Sequence, residues 1–121
     1  MADVVLQSIT KSFSGHRALD DVSMAIPDGS FVVLLGPTGA GKTTTLRMIS
    51  GLDHPDRGDV FIGGRSMKGL TPAERNVAMV FQQYSLYPHL TVRENLAFPL
   101  KSPLLKTPPA EIERKVRAVA E

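Results

Sequence analysis

One stretch constrains the fold of this chain more than any other. It is a glycine-rich loop that reads Gly36-Pro37-Thr38-Gly39-Ala40-Gly41-Lys42-Thr43 and fits the phosphate-binding pattern G-x-x-x-x-G-K-[ST] at every fixed position. Residues 31–35 before it are all apolar, as in a strand that is buried on both faces. Residues 43–50 after it contain no proline and suit a helix. Strand, loop and helix in this order predict an anion-binding site at the start of the helix.

The residue types of this loop suit a nucleoside triphosphate. Glycines tolerate the dihedral angles that bring backbone N–H groups close to phosphate oxygens. Lys42 adds a compact charge for the β- and γ-phosphates, and the Thr43 hydroxyl is a candidate ligand for Mg²⁺, an ion that takes few protein ligands. The alternative is a glycine-rich turn at an ordinary strand–helix junction, which the flanking pattern disfavours. The predicted nucleotide-binding residues of the loop are Gly36, Pro37, Thr38, Gly39, Ala40, Gly41, Lys42, Thr43 and Thr44, the last as a donor to the α-phosphate.

Length and composition narrow the class of protein. The 121 residues, 42% of them hydrophobic, suffice for one domain or for part of a larger one. No apolar stretch reaches the ~18 residues that span a bilayer, and the first residues do not resemble a secretory signal. The absence of cysteine excludes disulfides and thiol chemistry. Because the net charge is only +2 and the basic residues are scattered, we expect no nucleic-acid partner.

Hydrophobic patterns elsewhere predict an α/β fold. Residues 4–9 and 19–26 read as strands, the second with period-2 alternation, and Pro27-Asp28-Gly29 reads as a tight turn. Residues 59–62 predict a short strand before a Gly63-Gly64 turn, and the continuous apolar residues 77–81 predict a second central strand. We therefore expect an antiparallel β region beside a mainly parallel core sheet that is flanked by helices.

Helix-start signals occur three times after the loop. Thr71 with Glu74 and Thr91 with Glu94 have the spacing of capping boxes, and Pro99 is expected to close the second helix. A final helix is predicted from Pro109, with an apolar stripe of Ile112, Val116 and Val119 and with favourable pairs of Glu111 with Lys115 and of Glu113 with Arg117. This pattern still runs at Glu121, so we expect residues 1–121 to be the N-terminal part of something longer.

These motifs together resemble the nucleotide-binding subunit of ABC transporters. Gly36 to Thr43 resembles Walker A, Val80-Phe81-Gln82 resembles the start of a Q-loop, and Phe13 is an aromatic residue about two dozen positions before Walker A. Residues 81–92 look especially like importers of the carbohydrate-uptake type, the maltose-transporter ATPase group. The resemblance covers essentially the whole chain and implies a P-loop NTPase fold.

The resemblance also implies roles for single residues. Phe13 would stack on the adenine, although it could instead pack under its own loop. Lys42 and Gln82 would be catalytic, with Gln82 contacting Mg²⁺ or the attacking water; the neighbouring Gln83 leaves a one-residue ambiguity. The segment from Tyr84 to His89 would receive the transmembrane permease subunits, the alternative being that its large side chains belong to the core.

For the intact protein the resemblance implies an ATPase that uses ATP and Mg²⁺, works as a homodimer and lies peripherally at the cytoplasmic face of the inner membrane. A Walker B strand, a signature motif, a D-loop and a switch histidine do not occur in the 121 residues. We therefore expect this chain to bind nucleotide without turnover. Two other classes remain open: a P-loop enzyme of another kind, such as a small-molecule kinase, and a non-catalytic nucleotide-binding or assembly module.

Overall fold

The structure, a computed structural model, describes residues 2–121. The chain divides into two compact units, of which the first ends at Met79 and the second is Val80–Glu121. Among residues 2–121 there is no helix with both the length and the apolar character needed to cross a bilayer.

The first unit contains a four-stranded antiparallel sheet. In the order of the sheet, its strands are β2 (His16–Ile26), β1 (Val4–Phe13), β3 (Arg57–Ile62) and β4 (Arg65–Ser66). The central strand β1 places Leu6 opposite Met24 on one side and opposite Val60 on the other. The predicted strands and the Gly63-Gly64 turn are confirmed. Each of the three long strands extends further than the hydrophobic pattern indicated, because polar residues continue the ladder on the solvent side.

A single helix, α1 (Lys42–Ser50), packs on this sheet and closes the core. Met48 of α1 and Ile9 of β1 are completely buried. The helix ends at Gly51, which adopts a left-handed conformation with φ 84°, as the sequence predicted. The core cluster consists of side chains at most 5% exposed: Leu6, Ile9, Leu19, Met48, Val60 and Met67.

The two continuous apolar runs do not form strands. Residues 31–35 and 77–81 have no regular secondary structure, and Phe31, Leu35 and Val80 are 93%, 88% and 84% exposed. The prediction of two central strands in a parallel sheet is therefore wrong for this structure. An apolar run of this kind is stable as a strand only when other strands pair with it and helices cover its faces. Within residues 2–121 the only strands are β1–β4, and these pair with one another.

The Thr71 capping box forms only in part. The Glu74 carboxylate accepts hydrogen bonds from the Thr71 backbone N–H (2.8 Å) and from the Thr71 hydroxyl (2.9 Å). Residues 72–76 form turns, not the predicted helical turn of a longer helix. Because the hydroxyl donates to the carboxylate, it does not act as the backbone-accepting cap that a full box requires.

The second unit is helical. It comprises α2 (Val92–Ala97), a 3₁₀ turn (Phe98–Lys101) and α3 (Pro109–Ala120). The Thr91–Glu94 box is complete, which confirms the prediction. Pro99 lies in the 3₁₀ turn that follows α2. On α3 both predicted ion pairs form, with Lys115 3.0 Å from Glu111 and Arg117 2.8 Å from Glu113. The apolar stripe is only partly covered, since Val116 is buried but Val119 is 73% exposed.

Candidate functional site

The predicted phosphate loop closes directly onto the first turn of α1. Within it, the Ala40 N–H donates to the Pro37 carbonyl oxygen (3.1 Å). Gly39 and Gly41 adopt φ angles of 85° and 91°, which residues with a Cβ rarely adopt. Gly41 is the residue immediately before α1, so the loop ends where the unpaired N–H groups of the helix begin. This is the arrangement that favours an anion at a helix N-terminus.

Gly41 also seats the loop against β2. A Cβ at this position would lie 2.8 Å from the Ala18 carbonyl oxygen and 2.8 Å from Leu19 Cδ2. Leu19 is itself buried in the core, so neither neighbour can yield without disturbing the sheet. The glycine is therefore required for close approach as well as for its φ angle.

The positive charge of the loop comes from Lys42, the first residue of α1. Its ammonium group donates hydrogen bonds to the carbonyl oxygens of Gly36 and of Pro37 (2.8 Å for Pro37). The side chain thus folds back across the loop, over the region that the loop surrounds. The first turn of α1 carries no acidic side chain, so no internal carboxylate offsets this charge. The local field attracts anions.

The three threonines after Lys42 divide into two kinds. Thr45 is buried, and its hydroxyl donates to the Gly41 carbonyl oxygen (2.8 Å), so it fastens the first turn of the helix. Thr43 is exposed and Thr44 is half-buried. Their hydroxyls are on the first turn, next to the loop, as the predicted roles toward Mg²⁺ and the α-phosphate require. Those two roles stay predictions.

Phe13 lies at the turn end of the β1–β2 hairpin, paired with His16. Its ring is 44% exposed, and the Lys11 ammonium lies 5.2 Å from the ring centroid. Ala18, which contacts the loop, follows His16 by two residues, or roughly 7 Å along a strand. The hairpin therefore presents a partly open aromatic face at the same end as the phosphate loop. This favours the stacking role over a ring packed under its own loop.

Gln82 begins a turn, residues 82–85, in which Tyr84 and Ser85 have φ angles of 61° and 50°. The Tyr84 N–H donates to the Phe81 carbonyl oxygen (3.0 Å). Both Gln82 and Gln83 are exposed, so the carboxamide of either is accessible. The choice between them, and the role of Gln82 toward Mg²⁺ or water, stay predictions.

Comparison with known proteins decides the family. Residues 19–121 match the family model described as ABC transporter. The chain belongs to the ABC transporter family. It is 50% identical to the trehalose/maltose import ATP-binding protein MalK of Thermococcus litoralis and 51% identical to the sn-glycerol-3-phosphate import ATP-binding protein UgpC of Brucella abortus, over its full length in each case. Each alignment covers 34% of the relative, so this ABC transporter chain spans about one third of the length of these curated proteins.

Solved structures support the fold assignment. A dimeric structure of MJ0796, a bacterial ABC transporter cassette, superposes with a TM-score of 0.80 at 34% identity and covers 97% of this chain and 54% of that one. Another dimeric MJ0796 structure, in a post-hydrolysis state bound to ADP and Pi, gives a TM-score of 0.79 at 31% identity, with 97% and 56% covered. The chain therefore has the fold of the N-terminal part of an ABC ATPase cassette.

In this ABC transporter chain the segment from Tyr84 to His89, here named the aromatic segment, is exposed. Tyr84 and Leu86 are 77% and 70% exposed, so in this structure they are not core residues. Tyr87 is partly covered because its ring stacks on Phe98, with the centroids 4.5 Å apart. The side chains are thus available for a partner, which keeps the predicted permease contact open.

Sequence reasoning missed Asn95, which holds the end of the aromatic segment. Its Oδ1 accepts from the Tyr87 N–H (2.9 Å), and its Nδ2 donates to the carbonyl oxygens of Tyr87, Leu90 and Thr91 (3.2, 3.2 and 2.9 Å). An asparagine one turn after an N-cap is a weak signal, because the same spacing is common on exposed helices. Arg75, also missed, is buried beside α1.

Proposed function

We propose that the chain is the nucleotide-binding part of the ATP-binding subunit of an ABC importer. The observation that carries this proposal is the closure of the Gly36–Thr43 loop onto the acid-free first turn of α1, with Lys42 folded across it. Backbone N–H groups, a helix N-terminus and an ammonium group converge there, as a triphosphate requires. Membership of the ABC transporter family supports ATP as the nucleotide.

The proposed division of labour follows the side-chain types. Lys42 binds the β- and γ-phosphates as a point charge, and the Thr43 hydroxyl, with the Gln82 carboxamide, supplies oxygen ligands that suit Mg²⁺. When bound, that ion would neutralise charge on the phosphates. Phe13 offers its exposed face to the adenine ring. Gln82 is the candidate for orienting the attacking water.

The proposal for residues 1–121 themselves is binding without sustained turnover. Phosphoryl transfer needs the metal, the water and the transition-state charge to be positioned together. The loop positions phosphates, but among the described residues no group of three or more His, Asp or Glu side chains forms a metal cluster. Steady-state phosphate release by the purified chain, abolished by Lys42→Ala, would contradict this part of the proposal.

The proposed solute is a sugar or a related polyol phosphate. Relatives at similar identity are named for trehalose/maltose, for sn-glycerol-3-phosphate and, in SugC of Mycobacterium tuberculosis (48% identical), for trehalose. The proposed partners are permease subunits, which would dock on the aromatic segment, and a second ATPase subunit. Dimeric structures of the MJ0796 cassette support the second. The proposed location is the cytoplasmic face of the membrane, peripherally.

The test is a calorimetric titration of the 121-residue chain with Mg·ATP. Saturable binding is expected, with a loss of at least about tenfold in affinity, or ~1.4 kcal/mol, for Lys42→Ala. Lys68→Ala is the matched control, since Lys68 is an exposed lysine of the same unit outside the loop, and it should bind like the unmodified chain. Equal affinities for all three chains would overturn the assignment of the site.

A further inference from the structure

Arg75 is a buried cation whose partners are backbone carbonyl groups. It is only 5% exposed. Its Nη1 donates to the carbonyl oxygens of Met48 (2.9 Å) and Ile49 (3.3 Å), its Nη2 to that of Met67 (2.9 Å) and its Nε to that of Leu70 (3.1 Å). Among the ion pairs of the described residues, none includes Arg75. A buried charge without a carboxylate partner is unusual and costly.

Two of these four carbonyl groups belong to the last turn of α1. Carbonyls in a final turn have no intrahelical partner and carry the negative end of the helix dipole. The guanidinium of Arg75 therefore caps α1 from outside, across 26 or 27 residues of sequence. The other two carbonyls lie in the connection between β4 and Thr71, so the same group ties that connection to the helix.

The fit between the helix end and the guanidinium is tight. A Cβ on Gly51, the C-cap of α1, would lie 2.6 Å from Arg75 Nε and 2.9 Å from Arg75 Cζ. Gly51 itself is buried. The end of α1 therefore cannot slide or tilt toward Arg75 without a steric clash.

At its other end, α1 is held by the contact of Gly41 with Ala18 and Leu19. The helix has nine residues and is roughly 13 Å long, short enough to move as one rigid body. A change at its C-terminus is thus transmitted to the N–H groups of its first turn.

We propose that Arg75 is a positioning residue for the phosphate loop, acting through α1. This rests on the proposed function, because the site it positions is the nucleotide site. Burial lowers the pKa of Arg75, and the nearby negative charge of Asp59 opposes that change; an arginine remains charged under both influences. Lysine cannot replace it, since one ammonium group cannot reach four carbonyls arranged around a planar fork.

The test compares Arg75→Lys and Arg75→Met with Arg47→Met in the 121-residue chain. Arg47 lies on the same helix and forms a more exposed ion pair with Asp53 (2.6 Å), so it controls for loss of a cation near the same helix end. Each chain is titrated with Mg·ATP, its unfolding in urea is measured, and the amide resonances of Gly39, Gly41 and Lys42 are recorded without nucleotide.

Both Arg75 variants should lose about tenfold in affinity, at the lower end of the effect of removing a supporting contact from a preorganised site, and their loop resonances should shift. Arg47→Met should change neither. Methylguanidinium should restore the loop resonances of Arg75→Ala toward their original positions. Arg75→Lys with unchanged affinity and unchanged loop resonances, but lower stability, would overturn the proposal.

Failure of the proposed function gives a different result. If the unmodified chain does not bind Mg·ATP, the nucleotide assignment fails, and the loop resonances still decide whether Arg75 positions the loop. Shifted resonances in Arg75→Lys but not in Arg47→Met would support positioning. Unshifted resonances in both would refute it.

Discussion

The antiparallel sheet and the two apolar runs contain the same kinds of side chains but have opposite fates. Ile9 on β1 is completely buried, whereas Leu35 in the run before the phosphate loop is 88% exposed. The difference lies in the partners. Strand β1 pairs on both edges, with β2 and β3, and α1 covers the core. Residues 31–35 and 77–81 pair with no strand among residues 2–121. Apolar content alone does not bury a segment; the chain must also supply its neighbours.

The largest expected effect is on stability. Ile9→Ala removes a completely buried side chain and should lower the free energy of unfolding by about 3 kcal/mol. Val33→Ala changes a side chain that is 61% exposed and should lower it by less than about 0.5 kcal/mol. Urea denaturation followed by circular dichroism measures both. Similar losses for the two variants would mean that the run before the loop is packed in solution and would break the comparison.

A second, smaller effect concerns self-association. Exposed apolar segments with free edges associate with other copies, so the chain should form concentration-dependent oligomers in sedimentation velocity. The pair Leu35→Lys and Val80→Lys should weaken this association roughly tenfold, or ~1.4 kcal/mol. Leu104→Lys is the control, since Leu104 is 69% exposed but lies outside both runs. A compact monomer for the unmodified chain at all concentrations would contradict the prediction.

The same contrast explains what could be predicted from the sequence. Elements whose determinants are local were predictable: the Pro27-Asp28-Gly29 turn, the α1 helix with its Gly51 cap, and the Thr91–Glu94 box. The phosphate loop was also predictable, because its glycines and Lys42 follow one another in the chain. Long-range packing was not. Nothing in the sequence around Gly41 indicates that its hydrogen atom faces Ala18.

Polar groups that act over long distances escaped prediction for the same reason. Arg75 reads as one of many surface cations until the fold places it against the carbonyls of α1. Asn95 reads as an exposed helix residue until its amide meets the turn from Tyr87 to Thr91. Neither contact leaves a periodic pattern, since each joins a side chain to backbone atoms whose positions depend on tertiary structure.

The smallest predicted effect compares two local structures, the complete Thr91 box and the partial Thr71 box. In both, hydrogen bonds from the backbone N–H and the hydroxyl of the threonine lower the pKa of the glutamate, Glu94 or Glu74. Because the folded-state pKa is lower than the unfolded one, each carboxylate stabilises its turn fully above the ordinary glutamate pKa of about 4.3. That stabilisation is lost as the pH falls through the lowered folded value.

An NMR titration of the two side-chain carboxyl carbons measures this directly, with the same chain in concentrated urea as the unfolded reference. Both groups should titrate at lower pH in the folded chain, and both differences should disappear in Thr91→Ala for Glu94 and in Thr71→Ala for Glu74 only as far as the hydroxyl contributes. Thr91→Ala should also lower stability by about 1 kcal/mol, as loss of an N-cap does, whereas Thr71 caps no helix and its replacement should lower stability less. If Thr71→Ala costs as much as Thr91→Ala, then residues 71–76 form a capped helix in solution, and the distinction between the complete and the partial box is wrong.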